Sequence, residues 1–380
     1  MPRLRTIPFL SLLVSLLLSV AAQAAEQRAF HEARYEKGEL KYIHDLPVLL
    51  VEGTPEEIGR QKAMLTGEAV KTIADYPRRL LRAIKREEQW PKFVAAGETL
   101  LRQAPADHRA ELRAFAKALG VDRDLGVVAN TIMDTHHGGL GCSSLMVSAE
   151  KSATHAPLFG RNLDFYTLGI LDKYGLVTVH RPRGKHAFAS VGIPGVLGCL
   201  SGINDAGLAL AVHEVYRAAD GSPAFNPKGM PYTFCFRRML EECTTVEEAE
   251  KLLRATERST MLNLAVCDRR GGAVLEMTPK SVVLRRGSDG ICACTNHFRS
   301  TGLALWMWCN RYNTLIESSA LDKIGVSDIA EKLDAVNQGS LTMQTMIFEP
   351  VPLILHLSLG PPPSSHEPLK ELPLKELFGK

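Results

Sequence analysis

The sequence lacks the features by which several functional classes are recognised. It has no excess of charge, since 45 Lys and Arg residues stand against 42 Asp and Glu residues, a formal net charge of +3. It has no internal repeat and no low-complexity tract. Beyond its first residues it has no apolar run approaching the ~20 residues that a membrane-spanning helix needs. The sequence therefore predicts neither a nucleic acid nor a membrane as a partner.

Cysteine is also scarce, with eight residues in a chain of 380. None of the eight has the C-x-x-C spacing of a metal site, so we expect no metal and no other cofactor. Cys292 and Cys294 lie two residues apart in a strand-like run and should share a face without bridging each other. Several cysteines are expected to be buried apolar residues. One or two disulfides remain possible, because a sequence does not reveal how cysteines pair.

The first 24 residues have the pattern of a secretory signal peptide. Arg3 and Arg5 supply a positive start, residues 7–22 are mostly apolar, and Ala22-Gln23-Ala24 has the small-x-small form of a cleavage site. We expect cleavage after Ala24 and a mature protein that is exported, either periplasmic or secreted.

Residues 25–141 are predicted to be mostly helical. One helix should start at Thr54, because Pro55 follows it and Glu57 stands three residues on, which is the pattern of a capping box. Further helices are predicted over 78–85, 90–103 and 108–118.

Residues 142–363 have a different sequence pattern, in which short β-type runs are separated by turn residues and by helical segments. One of these helices should start at Thr245, in a second capping box with Glu248. This order favours an α+β fold with antiparallel sheets rather than alternating βαβ units. Residues 364–380 are predicted to be a partly ordered C-terminal tail.

One cysteine, Cys142, lies in a run of small and hydroxyl residues, "GGLGCSS". Other polar residues that could serve chemistry follow in short motifs: "GRNLDF" contains Arg161 and Asp164, "GINDAGLAL" contains Asn204, and "TNHF" contains Asn296. "NRYNTL" adds Arg311. Taken singly, each of these residues is better explained as an ion-pair, turn or surface residue.

Taken in order, these motifs resemble the autoproteolytic acyltransferase and hydrolase family typified by isopenicillin N (6-aminopenicillanic acid) acyltransferase. That family belongs to the N-terminal-nucleophile (Ntn) hydrolases. The resemblance covers most of the chain after the predicted signal, from "LPVLLVEGTPEEIGRQ" to "IFEPVPLILHLSLG". It implies a four-layer αββα Ntn-hydrolase sandwich with antiparallel sheets. It also implies a precursor that cuts itself between Gly141 and Cys142.

Elementary chemistry supports such a cut. A cysteine inside a chain has no base of its own, whereas cutting before it frees an α-amino group with an unperturbed pKa of about 7.7–8.0. Nucleophile and base then belong to one residue, so little positioning entropy is lost. Gly141 has no side chain to obstruct attack on its carbonyl, and glycine tolerates strained dihedrals. An α fragment 25–141 and a catalytic β fragment 142–380 are expected to remain associated.

The resemblance implies a role for each remaining residue. Arg161 would lie near the sulfur and favour the thiolate, and Asp164 would hold the new amine. Asn204 would donate its amide to the oxyanion, and Asn296 would position the amine or the substrate carbonyl. Arg311 is the weakest assignment, since it depends on a single charge. Tyr166 and Ile193 are candidates for the substrate pocket.

The predicted activity is that of an exported, self-processing cysteine amidohydrolase or acyltransferase that cleaves a linear amide through a thioester on Cys142. Its partner would be a small N-acyl compound, with hydrolysis favoured over transfer. Three alternatives stay open: a secreted binding protein in which Cys142 forms a disulfide, a metallohydrolase using His136 and His137, and a family member that never cuts itself. Asp134 is a minor candidate for assisting the cut. His213 and Glu214 should face opposite sides of a strand and so not act as a pair.

Overall fold

The computed structural model describes residues 28–135 and 140–379. The predicted signal peptide and the two histidines His136 and His137 lie outside these residues. Within them, sixteen strands form two sheets: β1 (Ala33–Tyr35), β2 (Gly38–Ile43), β3 (Leu46–Gly53), β4 (Leu140–Val147), β5 (Leu158–Phe165), β6 (Leu176–Pro182), β7 (Phe188–Gly192), β8 (Ser201–Asn204), β9 (Ala209–Glu214), β10 (Leu262–Asp268), β11 (Gly271–Met277), β12 (Val282–Arg286), β13 (Ile291–Cys294), β14 (Thr342–Glu349), β15 (Ile354–Leu359) and β16 (Lys370–Pro373).

The α-helices of the described residues are α1 (Pro55–Ile73), α2 (Tyr76–Ala83), α3 (Trp90–Leu101), α4 (Ala106–Leu119), α5 (Arg123–Ala129), α6 (Ile132–Thr135), α7 (Tyr232–Glu242), α8 (Val246–Ala255), α9 (Asn310–Ile316), α10 (Val326–Ala335) and α11 (Leu374–Leu377). In this part of the chain, no helix combines the length and apolar composition that a membrane crossing requires.

The first sheet has the strand order β1-β2-β3-β6-β7-β8-β9-β10-β11-β12, and the second has the order β13-β4-β5-β14-β15-β16. Neighbouring strands pair antiparallel except β3 and β6, which are parallel. The predicted α+β class with antiparallel sheets is therefore confirmed, with one parallel pair as an exception.

The two sheets pack face to face between two layers of helices. Met146 and Phe159 of the second sheet share a buried cluster with Val177 and Ala211 of the first. The outer face of the first sheet packs under α2, α3, α7 and α8. The outer face of the second sheet packs under α9 and α10, through side chains such as Leu333 against Leu158. The layers are thus α, β, β and α, as the resemblance implied.

The capping box at α1 forms as predicted. The Thr54 hydroxyl accepts from Glu57 N at 3.3 Å, and Glu57 Oε2 accepts from Thr54 N at 2.7 Å. At α8 only half of the box forms, because Glu248 reaches the N–H of Thr244, at 2.6 Å, instead of that of Thr245.

Two segments differ from the prediction. Residues 33–53 form the strands β1 to β3 and not helix, because the apolar run 46–51 is buried against α1 on one side and the second sheet on the other. The predicted tail is part of the core. β16 pairs with β15, and Leu372, Leu374 and Phe378 are buried in the cluster between the sheets.

Candidate active site around Cys142

Cys142 lies near the start of β4, in the second sheet, with its side chain directed at the first sheet. Its partner on the neighbouring strand β5 is Leu163. Ser144, on the same face of β4, contacts His213 of the first sheet. The thiol is completely buried in the continuous chain. A substrate therefore cannot reach the sulfur in this conformation of the chain.

Arg161 is the charged group next to the sulfur. It is fully buried on β5, where its Nη1 donates to the carbonyl of Val212 at 2.7 Å and its Nη2 lies 3.5 Å from Cys142 Sγ. Burial raises the pKa of the Cys142 thiol to about 11, even though the positive charge of Arg161 opposes that shift. In the uncut chain the thiol is consequently protonated at neutral pH and needs a base.

Asn296 and Arg311, which contact each other, hold the backbone of Cys142. The N–H of Cys142 donates to Asn296 Oδ1 at 2.8 Å, and the amide nitrogen of Asn296 donates to the carbonyl of Glu214 at 2.9 Å. Arg311 Nη1 donates to the carbonyl oxygen of Cys142 at 2.5 Å and to Ser143 Oγ at 3.0 Å. Its Nη2 donates to Asn296 Oδ1 at 3.0 Å. Arg311, the weakest assignment from sequence, thus lies in direct contact with Cys142.

The Asp164 carboxylate lies beside the expected cut. Asp164 is the partner of Gly141 in the β4–β5 register, and its carboxylate accepts from Gln338 and from the Thr342 hydroxyl. Its negative charge raises the pKa of the Cys142 thiol, and its backbone N–H, which lies near Cys142 Sγ, has a smaller effect in the opposite direction. The carboxylate is therefore fixed close to the bond whose cleavage would create the amine.

Limited space, and not dihedral strain, favours glycine at position 141. Gly141 lies in strand β4 and does not belong to the glycines with positive φ. A Cβ at this position would clash with Gln338 Nε2 and come within 3.1 Å of Asp164 Cβ. The absence of a side chain keeps Asp164 and Gln338 in hydrogen-bond contact directly across from the expected cut.

Gly141→Ala is expected to destabilise the uncut chain by about 1–3 kcal/mol, because overpacking a tight contact costs that much. Urea denaturation in a Cys142→Ala background, in which the chain should stay whole, measures the change. Adding Gln338→Ala should recover most of the loss, since it removes the side chain that clashes. Equal destabilisation with and without Gln338→Ala would contradict the steric explanation.

The structure does not bring Asn204 to this site, and it argues against the predicted oxyanion role. Asn204 lies at the turn of the β8–β9 hairpin, at the level of Leu208. Val212, which Arg161 contacts, is four residues or roughly 13 Å farther along the strand. Both N–H groups of the Asn204 amide donate to the carbonyls of Leu240 and Cys243 at the end of α7, at 3.0 and 2.7 Å. The amide has no donor left for an oxyanion.

Several residues at the site carried no signal in the sequence. Gln338 and Thr342 hold Asp164 but lie more than 170 positions away from it in sequence. Tyr232 is buried close to Cys142, and burial together with the charges of Asp134 and Glu214 raises the pKa of its phenol well above the usual value. That phenol stays neutral. Only the fold brings these residues to Cys142.

Asp134, the minor candidate for assisting the cut, anchors another element. Its Oδ1 accepts from the N–H of Tyr232 at 3.0 Å and from Ser259 Oγ at 2.5 Å. His213 and Glu214 face opposite sides of β9, as predicted. His213 contacts Ser144 between the sheets, where burial and nearby arginines hold its pKa well below the usual value. It is a neutral structural histidine.

An apolar pocket opens beside the site. Its walls come from α1, α2, α5, α6 and the loop after β7, and they include Ile73, Ala129, Ile132, Phe165 and Ile193. Cys142 belongs to the same buried cluster as Ile73, Ile132 and Phe165. Ile193 therefore lines a pocket as predicted. Tyr166 does not line this pocket. Its carbonyl accepts a hydrogen bond from Tyr76, which does line the pocket.

All eight cysteines are free thiols, and seven of them are buried. Cys142 forms no disulfide, which contradicts the alternative of a binding protein in which this cysteine is bridged. Cys292 and Cys294 share one face of β13 without bridging, as predicted.

Within the described ranges, one group of side chains has atoms close enough to hold a metal ion, namely Asp107, His108 and Glu241. Lys185 forms ion pairs with both carboxylates, with its Nζ 2.6 Å from Glu241 Oε2. We interpret the group as a buried ion-pair network, because a cation already occupies its centre.

Comparisons with known proteins give a family and several distant likenesses. The model of the family described as acyl-coenzyme A:6-aminopenicillanic acid acyl-transferase matches residues 149–338, which is half of the chain. The matched segment begins just after Cys142 and includes Arg161, Asp164, Asn296 and Arg311. An uncharacterized protein of Archaeoglobus fulgidus is 23% identical over 285 residues, which cover 66% of this chain and 47% of the relative. The chain thus spans about half the length of that relative.

Three solved structures are similar at low identity. They are an N-acylethanolamine-hydrolyzing acid amidase ortholog of Caenorhabditis elegans (17% identity, 61% of this chain and 100% of that chain, TM-score 0.45), a conjugated bile acid hydrolase of Clostridium perfringens (15%, 62% and 93%, TM-score 0.44) and a penicillin V acylase of Agrobacterium tumefaciens (14%, 57% and 83%, TM-score 0.41).

Proposed function

The chain belongs to the acyl-coenzyme A:6-aminopenicillanic acid acyl-transferase family, and from that premise we propose that it is a self-processing cysteine amidohydrolase acting on linear amides. The observation that carries the proposal is the set of contacts around one residue. The N–H of Cys142 contacts Asn296, its carbonyl contacts Arg311, and its sulfur lies beside Arg161. Any buried residue needs partners for its backbone groups, but here polar side chains supply them, and a guanidinium also lies beside the sulfur.

Self-processing would begin with attack of Cys142 Sγ on the carbonyl carbon of Gly141. The carbon–nitrogen bond between the two residues breaks, the nitrogen takes the thiol proton, and a thioester forms on the sulfur. Water then hydrolyses the thioester to give the carboxylate of Gly141 and a free thiol. The buried position of Cys142 supports this order, because no external substrate reaches the sulfur before the cut.

After the cut, the new α-amino group would act as the base for the same cysteine. Its ordinary pKa lies near neutrality, so it can accept the thiol proton that burial holds in place. Asn296, which accepts a hydrogen bond from this nitrogen in the uncut chain, is placed to orient it. Arg161 would stabilise the thiolate. Attack on a substrate amide would release the amine and leave an acyl thioester, which water hydrolyses.

The two fragments are expected to stay together after the cut. The strands β1 to β3 precede Cys142 and belong to the same sheet as β6 to β12, with β3 paired to β6 over residues 48–53. We further propose that the protein is exported, on the basis of Arg3, Arg5 and the apolar run that follows them.

The pocket beside Cys142 supports an acyl group that is apolar and extended. Its lining residues are almost all hydrocarbon side chains, and each methylene moved from water into such a pocket contributes about 0.8 kcal/mol. We expect kcat/KM to rise by about fourfold per methylene until the pocket is filled. Purified protein assayed with N-acyl amino acids of increasing chain length tests this, with release of the free amine as the readout.

A variant that narrows the pocket should shorten the preferred acyl chain. Ala129→Phe adds a ring to the α5 wall and is expected to lower kcat/KM for long-chain substrates by ~10-fold or more, while short-chain substrates keep their rates. The matched control, Ala95→Phe on the exposed side of α3, should change neither. The pocket assignment is wrong if Ala129→Phe and Ala95→Phe each lower kcat/KM for long-chain and short-chain substrates by the same factor. The amidase proposal fails if wild type releases no amine from any member of the series.

A further inference from the structure

A second group of reactive side chains lies outside the site described above. Cys309 Sγ is 3.6 Å from the Thr295 hydroxyl, which lies 3.0 Å from Nδ1 of His297. Cys309 is half-buried, whereas the other seven cysteines are buried. The side chain just before it, Trp308, is 74% exposed, so this stretch of chain is at the surface.

The neighbours of His297 fix the direction of its proton. Arg299 Nη1 lies 3.2 Å from His297 Nε2, and because a guanidinium only donates, Nε2 must accept. A neutral imidazole then has its proton on Nδ1, on the side of Thr295 and Cys309. The same Arg299 stacks over the Tyr312 ring at 3.9 Å, which holds its guanidinium in place. His297 Nδ1 then donates to the Thr295 hydroxyl, which leaves the Thr295 proton free to point toward Cys309 Sγ.

Groups from two elements favour a negative charge on this sulfur. Burial works against the thiolate, but hydrogen bonds from His297, from the Tyr312 N–H and from Thr295 outweigh it, with help from the charge of Arg311. Together they lower the pKa of Cys309 to about 6. At pH 7 such a thiol has roughly thirtyfold more thiolate than an unperturbed cysteine with a pKa of about 8.5. Burial raises the pKa of Cys142, Cys199 and Cys267 instead.

We propose that Cys309 is a thiol modification site, at which hydroperoxides and soft electrophiles react through a thiolate stabilised by His297 and Thr295. With hydrogen peroxide, the sulfur attacks one oxygen and the O–O bond breaks. The leaving hydroxide takes a proton and becomes water. The sulfur is oxidised to a sulfenic acid while the peroxide is reduced. The sulfur differs from that of the candidate nucleophile, although the two groups adjoin through Arg311, and the inference does not depend on the proposed amidase activity.

Site-resolved alkylation tests the proposal. The full-length Cys142→Ala protein is treated with limiting iodoacetamide between pH 5 and pH 9, and each cysteine is then quantified by peptide mass spectrometry. Cys309 is expected to react first, with half-maximal rate near pH 6. His297→Gln should move that midpoint upward by at least about one pH unit, because the imidazole that lowers the pKa of the thiol and bonds to the Thr295 hydroxyl is lost. A matched peroxide treatment followed by dimedone should label Cys309.

Three results would overturn the inference. The first is that Cys309 reacts no faster at pH 7 than Cys199 and Cys267. The second is that the pH profile of Cys309 is the same in His297→Gln as in the parent. The third is that dimedone labels no sulfenic acid at Cys309. The first and third need no variant at residue 297, so they decide the matter even if His297→Gln folds poorly. Thr295→Val serves as a second variant and should also raise the midpoint.

Discussion

Cys142→Ala is expected to remain a single chain, whereas the wild-type protein is expected to separate into two fragments on a denaturing gel. The reason is that the only proposed nucleophile for the Gly141–Cys142 bond is the sulfur of Cys142, and alanine has no group to replace it. Amino-terminal sequencing of the wild-type fragments should give Cys-Ser-Ser for the larger one. In a host that exports the protein, the smaller fragment should start at Ala25.

A matched control separates the loss of a nucleophile from the loss of a buried thiol. Cys199 is buried like Cys142, but its sulfur lies outside the proposed mechanism. Cys199→Ala should therefore cut itself as the wild type does. A wild-type chain that stays whole after long incubation would argue against self-processing. A Cys142→Ala chain cut at the same bond would instead implicate a protease of the host.

Arg237→Met is expected to lower the free energy of unfolding by about 3–5 kcal/mol, because it leaves two buried carboxylates without their shared partner. Arg237 Nη2 contacts Glu111 Oε2 at 2.5 Å, and its Nε contacts Glu241 Oε1 at 2.9 Å. Lys62 and Lys185 remain on the other oxygens of these carboxylates. Urea denaturation in the Cys142→Ala background measures the change on an intact chain.

The adjacent arginine is the natural control. Arg238 pairs with Glu242 on the same helix at 3.0 Å, but both side chains are 36% exposed. Arg238→Met should cost no more than about 0.5 kcal/mol, as exposed pairs on a helix do. Similar losses of unfolding free energy in Arg237→Met and Arg238→Met would mean that burial does not determine how much these ion pairs contribute to stability.

The buried ion pairs of Glu111 and Glu241 predict a loss of stability in acid. Burial alone would raise the pKa of Glu111, but Arg237 and Lys62 outweigh it and lower the pKa to about 2. Since the unfolded chain binds this proton at about 4.3, the stabilising contribution is complete above that pH and is lost as the pH falls from about 4.5 toward 2. Glu241, whose pKa is also lowered, acts in the same direction. In Arg237→Met the slope of stability against pH in this range should be smaller.

The sequence predicted those parts of the molecule whose signal is local or whose motifs resemble a family. The helix starting at Thr54 follows from a capping pattern within four residues, and Cys142, Arg161 and Asn296 follow from short motifs in a family's order. The strand Leu46–Gly53 was missed because a continuous apolar run, buried on both faces, has no alternation that distinguishes it from a helix.

The failures at the site have a common physical cause. An asparagine before Asp-Ala-Gly can serve a turn or an oxyanion, and only the closing of the β8–β9 hairpin against the end of α7 decides for the turn. The reverse holds for Gln338, which nothing local marks but which reaches Asp164 when β14 pairs with β5. Contacts made across more than a hundred residues depend on strand order, which a single sequence does not display.

The parallel pairing of β3 with β6 has a practical consequence for anyone who produces this protein in pieces. A gene that encodes only the segment from Cys142 onward would yield a chain in which β6 keeps β7 but has lost β3, and shows a row of unsatisfied N–H and C=O groups along that edge. Bare edges of this kind invite aggregation. Supplying the N-terminal piece in trans during refolding, and not afterwards, is the way to recover soluble material.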